Sequence, residues 1–241
     1  MPKETLAQID AHKRDRVLGE AARLFAERGF ARADMAELAS RAGVAKGSLY
    51  NYFDSKQDCY LTVCRDGLAR YRAAIYHELD PDWPALRQID HIFRAGLRFV
   101  SEHPELIVLY LNVSAAGMDR FAEQLSSDAE QRFAELLKRS LERDRARGLL
   151  RPGLDVPFTA HAINGLYINC LSASVSRHHQ LRLREYLDLD PGRDRLDHER
   201  LLERSIAFIQ SIITQDSPAA RARPRKPAAR RGNPRRKGDR P

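Results

Sequence analysis

The side chains best suited to recognition chemistry lie between positions 46 and 56: Lys46, Gly47, Ser48, Tyr50, Asn51, Tyr52 and Lys56. A lysine near a helix start pairs with phosphate, and a glycine there lets the backbone come close to it. Tyrosine hydroxyls donate to phosphate oxygens while their rings touch thymine methyls, and asparagine can bond adenine at two points in the major groove. On a helix of about Ala45 to Phe53, Val44, Leu49 and Phe53 turn inward and the polar set turns mostly outward. Such a face suits double-stranded DNA. The same spacing also fits a helical hairpin whose polar side is merely solvated, and residue types alone do not choose between them.

These side chains need something to aim them. Upstream, Met35, Leu38, Ala39 and Ala42 share one face at helical spacing, with Asp34 and Glu37 as a variant capping box. That predicts a helix over Met35–Ala42. Gly43 ends it, because glycine takes the left-handed conformation of a sharp turn. Before it, Val17, Leu18, Ala21, Ala22, Leu24 and Phe25 trace an apolar stripe over about Asp15 to Arg28, closed by Gly29 and Phe30. Lys3, His12, Lys13 and Arg14 precede that stripe, either within reach of a phosphate or as a frayed polar terminus. Ser55, with Asp58 three residues on, caps a long helix running from Lys56 toward Leu79. Two short helices about a glycine turn, braced by a third, make a helix-turn-helix.

At these residues the sequence resembles the TetR/AcrR family of transcriptional regulators. The pattern is met at Ala42, Gly43, Val44, Lys46, Gly47, Ser48, Leu49, Tyr50, Phe53, Ser55 and Lys56, and the likeness is dense from about Asp15 to Tyr60. Two positions depart from it. Asp34 stands where the family usually has threonine and Ala45 where it usually has serine, so two hydroxyls that cap helices and touch phosphate are missing. Asp34 can still cap, though its charge repels phosphate. The resemblance implies an operator-binding homodimer that answers a small-molecule effector, with the helix after Ser55 linking the DNA-binding half to a ligand-binding half.

Beyond Asp80-Pro81-Asp82-Trp83-Pro84 the pattern stays helical. Leu86, Ile89, Phe93, Leu97 and Val100 form one stripe, ending at His103. Leu106 to Val113 is an apolar run that must be buried on most sides. Phe121, Leu125, Phe133, Leu136, Leu137 and Leu141 continue, and a Gly/Pro turn separates them from Phe158 to Val175. Charge returns in Arg177 to Arg195, before a last amphipathic helix through Leu201, Leu202, Ile206, Ile209, Ile212 and Ile213. No segment alternates as a strand would, and no repeat is evident, so the expected fold is all-α. Polar residues inside apolar helices need partners. On that ground Tyr110, Asn112, Asn164 and Tyr167, with Phe93, Leu97 and Phe133, are candidate effector contacts, although stripes such as those of Phe93, Leu97 and Phe133 are more often plain core than pocket lining. The resemblance puts the last two helices in a two-fold interface, for which Gly165, Asn169, Ile209 and Ile213 are candidates.

The chain has 241 residues, is 43% apolar and carries a net charge of +8. Residues 217–241 hold ten Arg or Lys against Asp239 alone, a net +9, which leaves the rest near neutral at −1. That composition predicts a disordered basic tail after a DNA-binding unit over 1–56 and a sensing and dimerising unit over 57–216. Cys59, Cys64 and Cys170 lack Cys-x-x-Cys spacing and fit reduced thiols. No phosphate-cradling glycine loop, Gly-x-Ser-x-Gly, His-Glu-x-x-His or Glu-x-x-His occurs, so neither an enzyme, a metal site nor a cofactor is expected. No membrane span or secretory signal is expected either, which points to the cytoplasm. A different class remains open: an architectural protein in which the tail binds duplex without regard to sequence. Salt dependence on specific against random duplex separates the two.

Overall fold

The computed structural model describes residues 6, 8–113, 118–189 and 196–214, without the side chains of 126–129. The basic tail, Lys3 and the end of the charged stretch after Leu189 lie outside the described residues. Within them the chain is helical and has no strand. Helix α1 spans Ala11–Arg32, α2 Met35–Ala42, α3 Lys46–Tyr52, α4 Lys56–Tyr76 and α5 Ala85–Glu102. Then come α6 (Pro104–Val113), α7 (Asp119–Ala146), α8 (Val156–Val175), α9 (Arg177–Tyr186) and α10 (His198–Ile213).

The local signals account for most boundaries. Gly43 adopts φ 62°, ψ 41° and closes α2 through its N–H to the carbonyls of Ala39 and Ser40. Asp34 caps α2, its carboxylate accepting from Ala36 N at 2.6 Å. Glu37 does not complete a capping box, since Arg41 holds it at 2.6 Å. Ser55 accepts from Asp58 N at 3.1 Å, and Asp58 accepts in return from Asp54 N at 3.1 Å. Three outcomes differ from the sequence expectation. Helix α1 begins at Ala11, capped by Asp10, so His12, Lys13 and Arg14 are helical rather than frayed. Helix α4 stops at Tyr76, where His91 Nε2 lies 3.1 Å from the Ile75 carbonyl. The charged stretch after Ser176 contains a helix of its own, α9, with Ser176 as its cap.

Two apolar cores result. One joins α4–α8 and α10 around Ile89, Phe93, Leu137, Ile163, Tyr167 and Ile209. The other seats the helix-turn-helix on Val17, Phe25, Leu38, Leu49 and Phe53, and it does not end at residue 56. It runs on through Cys59, Tyr60, Leu61 and Val63 and takes in Leu109, Val113 and Phe121 from α6 and α7. An aromatic joint holds that seam, with Tyr60 packed edge-on against Phe25, Phe30 and Phe121 at 5.0, 5.3 and 5.0 Å. Such pairs each add about 0.5–1.5 kcal/mol beyond their buried area. All three cysteines are free.

Candidate nucleic-acid interface and cavity

Helices α1 to α3 hold the reading face by a few directed contacts. Arg16 Nε donates to the Ala42 carbonyl at 3.0 Å, fixing the end of α2 against α1. Arg41 bridges Glu27 and Glu37 at 2.9 and 2.6 Å, and its hydrogen bond holds the Glu27 carboxyl below its usual range. On α3, Lys46, Gly47, Tyr50 and Asn51 are exposed and Ser48 is half-buried. Helix α3 starts at Ala45 with no side-chain cap, the consequence of the absent serine.

Two members of the expected outward set are placed otherwise. Tyr52 is 5% exposed against 44% for Tyr50, because it falls three residues after Leu49 and shares its inward face; it is a core residue, over which Lys13 stacks at 5.8 Å. Lys56 is half-buried, and its ammonium donates to the carbonyls of Ala31 and Ala33 at 3.0 and 3.1 Å while lying 4.9 Å from the Phe30 ring. It thus closes the C-terminal end of α1. An ammonium has three donors, so one remains for a phosphate.

Behind this unit lies a cavity of about 160 Å³ lined by α4, α5, α6, α7 and α8. Of the candidate contacts, Tyr110, Phe133, Asn164 and Tyr167 line it. Phe93 does not, being buried behind Tyr167 at 4.8 Å between ring centroids. Leu97 packs on the outer edge of the core, and Asn112 turns the other way, into a shallow depression between α6, α8 and α9. The apolar run Leu106–Val113 is accordingly buried on one side only, with Val108 and Leu111 half-buried over that depression.

The polar groups of the cavity are few. Tyr71 and Tyr167 share a hydrogen bond between hydroxyls across it, and burial pushes both phenols upward, so the pair is neutral. Tyr110 donates to Glu130 Oε1 at 3.1 Å. The Cys64 thiol, also in the wall, is pushed up to about 12 by burial and is no thiolate. Arg72 lines the cavity as well, and its Nη2 is buried without a hydrogen-bond partner. Sequence reading missed Tyr71, Arg72, Tyr76 and Glu130. The signal was there in α4, where Leu68, Arg72, Ile75 and Tyr76 fall at i, i+4, i+7 and i+8, a charge inside an apolar stripe.

For the expected interface, Gly165 is exposed and a Cβ there would meet nothing within 4 Å. Asn169 is half-buried and satisfies its amide on the Gly165 carbonyl at 2.9 Å. Ile209 and Ile213 are corrected, since both are fully buried in the subunit's own core and present nothing outward. The large apolar groups that α8 and α10 do expose are Phe158 and Phe208, at 69% and 53%.

A small three-helix reading unit joined by a long helix to an all-helical half with an apolar cavity defines a helix-turn-helix DNA-binding regulator. The model of bacterial regulatory proteins of the tetR family matches residues 17–63. The transcriptional repressor KstR2 of Mycobacterium tuberculosis is 30% identical over 152 residues, 60% of this chain and 72% of that protein. A TetR family regulator from Chloroflexus aurantiacus superposes with a TM-score of 0.63 at 22% identity, over 90% of this chain and all of that one. FadR of Bacillus subtilis, solved with stearoyl-CoA, gives 0.63 at 16% identity over 80% and 96%. The chain belongs to the TetR family of transcriptional regulators. Among the described residues no helix is long and apolar enough to cross a membrane.

Proposed function

We propose that this regulator is a homodimeric repressor, released from its operator by a small apolar or amphipathic molecule bound in the cavity. The observation that carries the reading is the double duty of α4. Cys64, Gly67, Leu68, Tyr71, Arg72, Ile75 and Tyr76 line the cavity, while Tyr60, four residues before Cys64, sits in the aromatic joint beneath the reading unit. A ligand that shifts α4 therefore shifts the seat of α1–α3. Only a difference in affinity between the two arrangements can move the equilibrium. The repressor activity of KstR2 and the acyl-CoA bound to FadR support the repressor and ligand parts of this reading.

Lys46, Gly47, Ser48, Tyr50 and Asn51 contact the duplex in this reading, with Lys56 adding a phosphate contact. Two such heads grip one operator when their recognition helices stand about 34–36 Å apart, one turn of DNA. The pairing surface is the outer face of α8 and α10, on which Phe158 and Phe208 are exposed and Gly165 is open. Selection of tight binders from random duplex tests the reading. A palindromic operator, bound by dimers and lost on Tyr50→Ala, is expected. Binding without sequence preference that falls steeply with salt would favour the architectural alternative carried by the basic tail.

A further inference from the structure

The cavity wall contains a positive charge that the protein itself leaves partly unanswered. Arg72 Nη2 is shut off from solvent and has no hydrogen-bond partner. A guanidinium cannot escape burial by losing its proton, and a buried donor without an acceptor is costly. Glu130, the acid of the same lining, makes no ion pair with it among the described residues and accepts a hydrogen bond from the Tyr110 hydroxyl at 3.1 Å. Arg72 is the one cation among the described lining residues and Glu130 the one acid, and the remaining lining is mostly aliphatic and aromatic.

The geometry points to an effector that is an apolar molecule carrying an anionic oxygen group, with Arg72 as its anchor. This rests on the reading above that the cavity is the effector site, and it names the chemistry of the occupant. A guanidinium presents paired donors that match a carboxylate or phosphate and are strongest where water is excluded. The void of about 160 Å³ is close to an engineered cavity of about 150 Å³ that admits benzene. The buried apolar part is therefore on the order of six to eight carbons in this arrangement of the helices. Two sources share this chemistry: a short-chain carboxylate held whole inside, or a coenzyme A thioester whose phosphates lie at the Arg72 side. Because Arg72 stands on α4, either would pull on the helix that seats the reading unit.

The test titrates the full-length chain with octanoate, octanoyl-CoA and 1-octanol by calorimetry, and measures operator retention beside it. At least one anion should bind at least about tenfold more tightly than the alcohol, and which one binds identifies the source. Arg72→Met should weaken that anion about ten- to a hundredfold and leave 1-octanol unchanged, with Arg72→Lys between them. Without ligand, Arg72→Met should melt no lower than the parent chain, because it removes a buried donor that has no acceptor while keeping an apolar stem. The proposal is overturned if 1-octanol matches both anions, if neither anion binds, or if Arg72→Met binds the anion as the parent does. A chain that fails these tests but still selects an operator loses only the ligand class; one that selects no operator loses the repressor reading itself.

Discussion

Gly96 on α5 lies directly under Tyr167, and replacing it with alanine tests how tightly the cavity wall is assembled. A Cβ at 96 would stand 1.8 Å from Tyr167 Oη, 2.7 Å from Cζ and 3.0 Å from Cε2. The ring cannot yield sideways, since Phe93 and Phe133 flank it at 4.8 and 5.8 Å. Overpacking of this kind costs about 1–3 kcal/mol, and displacing the hydroxyl also strains its bond to Tyr71. Against that, alanine in a helix interior gains about 0.5–1 kcal/mol over glycine. The clash wins. Gly96→Ala should be destabilised by about 1–2 kcal/mol, a melting point lower by about 2–8 °C for a chain of this size. Adding Tyr167→Phe should return part of the loss, because it removes the nearest atom but leaves the ring carbons. The one direction in which Tyr167 can swing is into the cavity, so ligand affinity should fall with stability. Calorimetric melting showing Gly96→Ala more stable than the parent by the full helix gain would refute the packing of Tyr167 over Gly96.

Tyr52→Ala should cost about 3–5 kcal/mol in urea unfolding, as for other buried aromatics, with DNA binding lost only in proportion to unfolding; an unchanged midpoint would return Tyr52 to the surface. Asn51→Ala should change which operator is preferred by about 1–3 kcal/mol of discrimination, while Tyr50→Ala weakens all duplexes alike. Equal loss on specific and random duplex would remove Asn51 from base reading. Gly165→Glu and Phe208→Glu should each give monomers in sedimentation, because a charge then enters the face where α8 and α10 would meet a second copy. A dimer retained by both would place the interface elsewhere.

The helix-turn-helix was legible because its signals are local. A capping aspartate, an apolar face of period 3.6 and a glycine at φ 62° act within ten residues of one another. Tyr52 was misplaced because the inward set was drawn through Val44, Leu49 and Phe53 alone. On a seven-residue helix Tyr52 shares the face of Leu49, and its hydroxyl says nothing about direction. The cavity was half legible for a different reason. Tyr110, Asn164 and Tyr167 could be picked out as polar groups in apolar helices, but whether such a residue lines a void depends on five helices meeting. Asn112 carries the same signal and faces away. Ile209 and Ile213 follow the amphipathic stripe of α10, and a stripe marks the face toward the subunit's own core. The residues available to a partner are those off the stripe, Phe208 among them.

The distance between cavity and reading unit is short in side chains even where it is long in sequence. Leu109 and Val113 line the cavity and also belong to the core that seats α1–α3, so a molecule that fills the void presses on that core directly. Moving a two-state equilibrium from 1:99 to 99:1 takes about 5.5 kcal/mol of differential binding. An apolar part of about six methylenes, at about 0.8 kcal/mol each, supplies at most about 5 kcal/mol, and only if the other arrangement binds none of it. Apolar filling alone therefore falls at the edge of what a sharp switch requires. A charge-assisted bond to Arg72, worth about 1.5–3 kcal/mol, carries the total across when it forms in one arrangement of α4 and not in the other. Removing the anionic group should then weaken an effector about as much as removing two to four methylenes, a loss that a purely apolar sensor would not show.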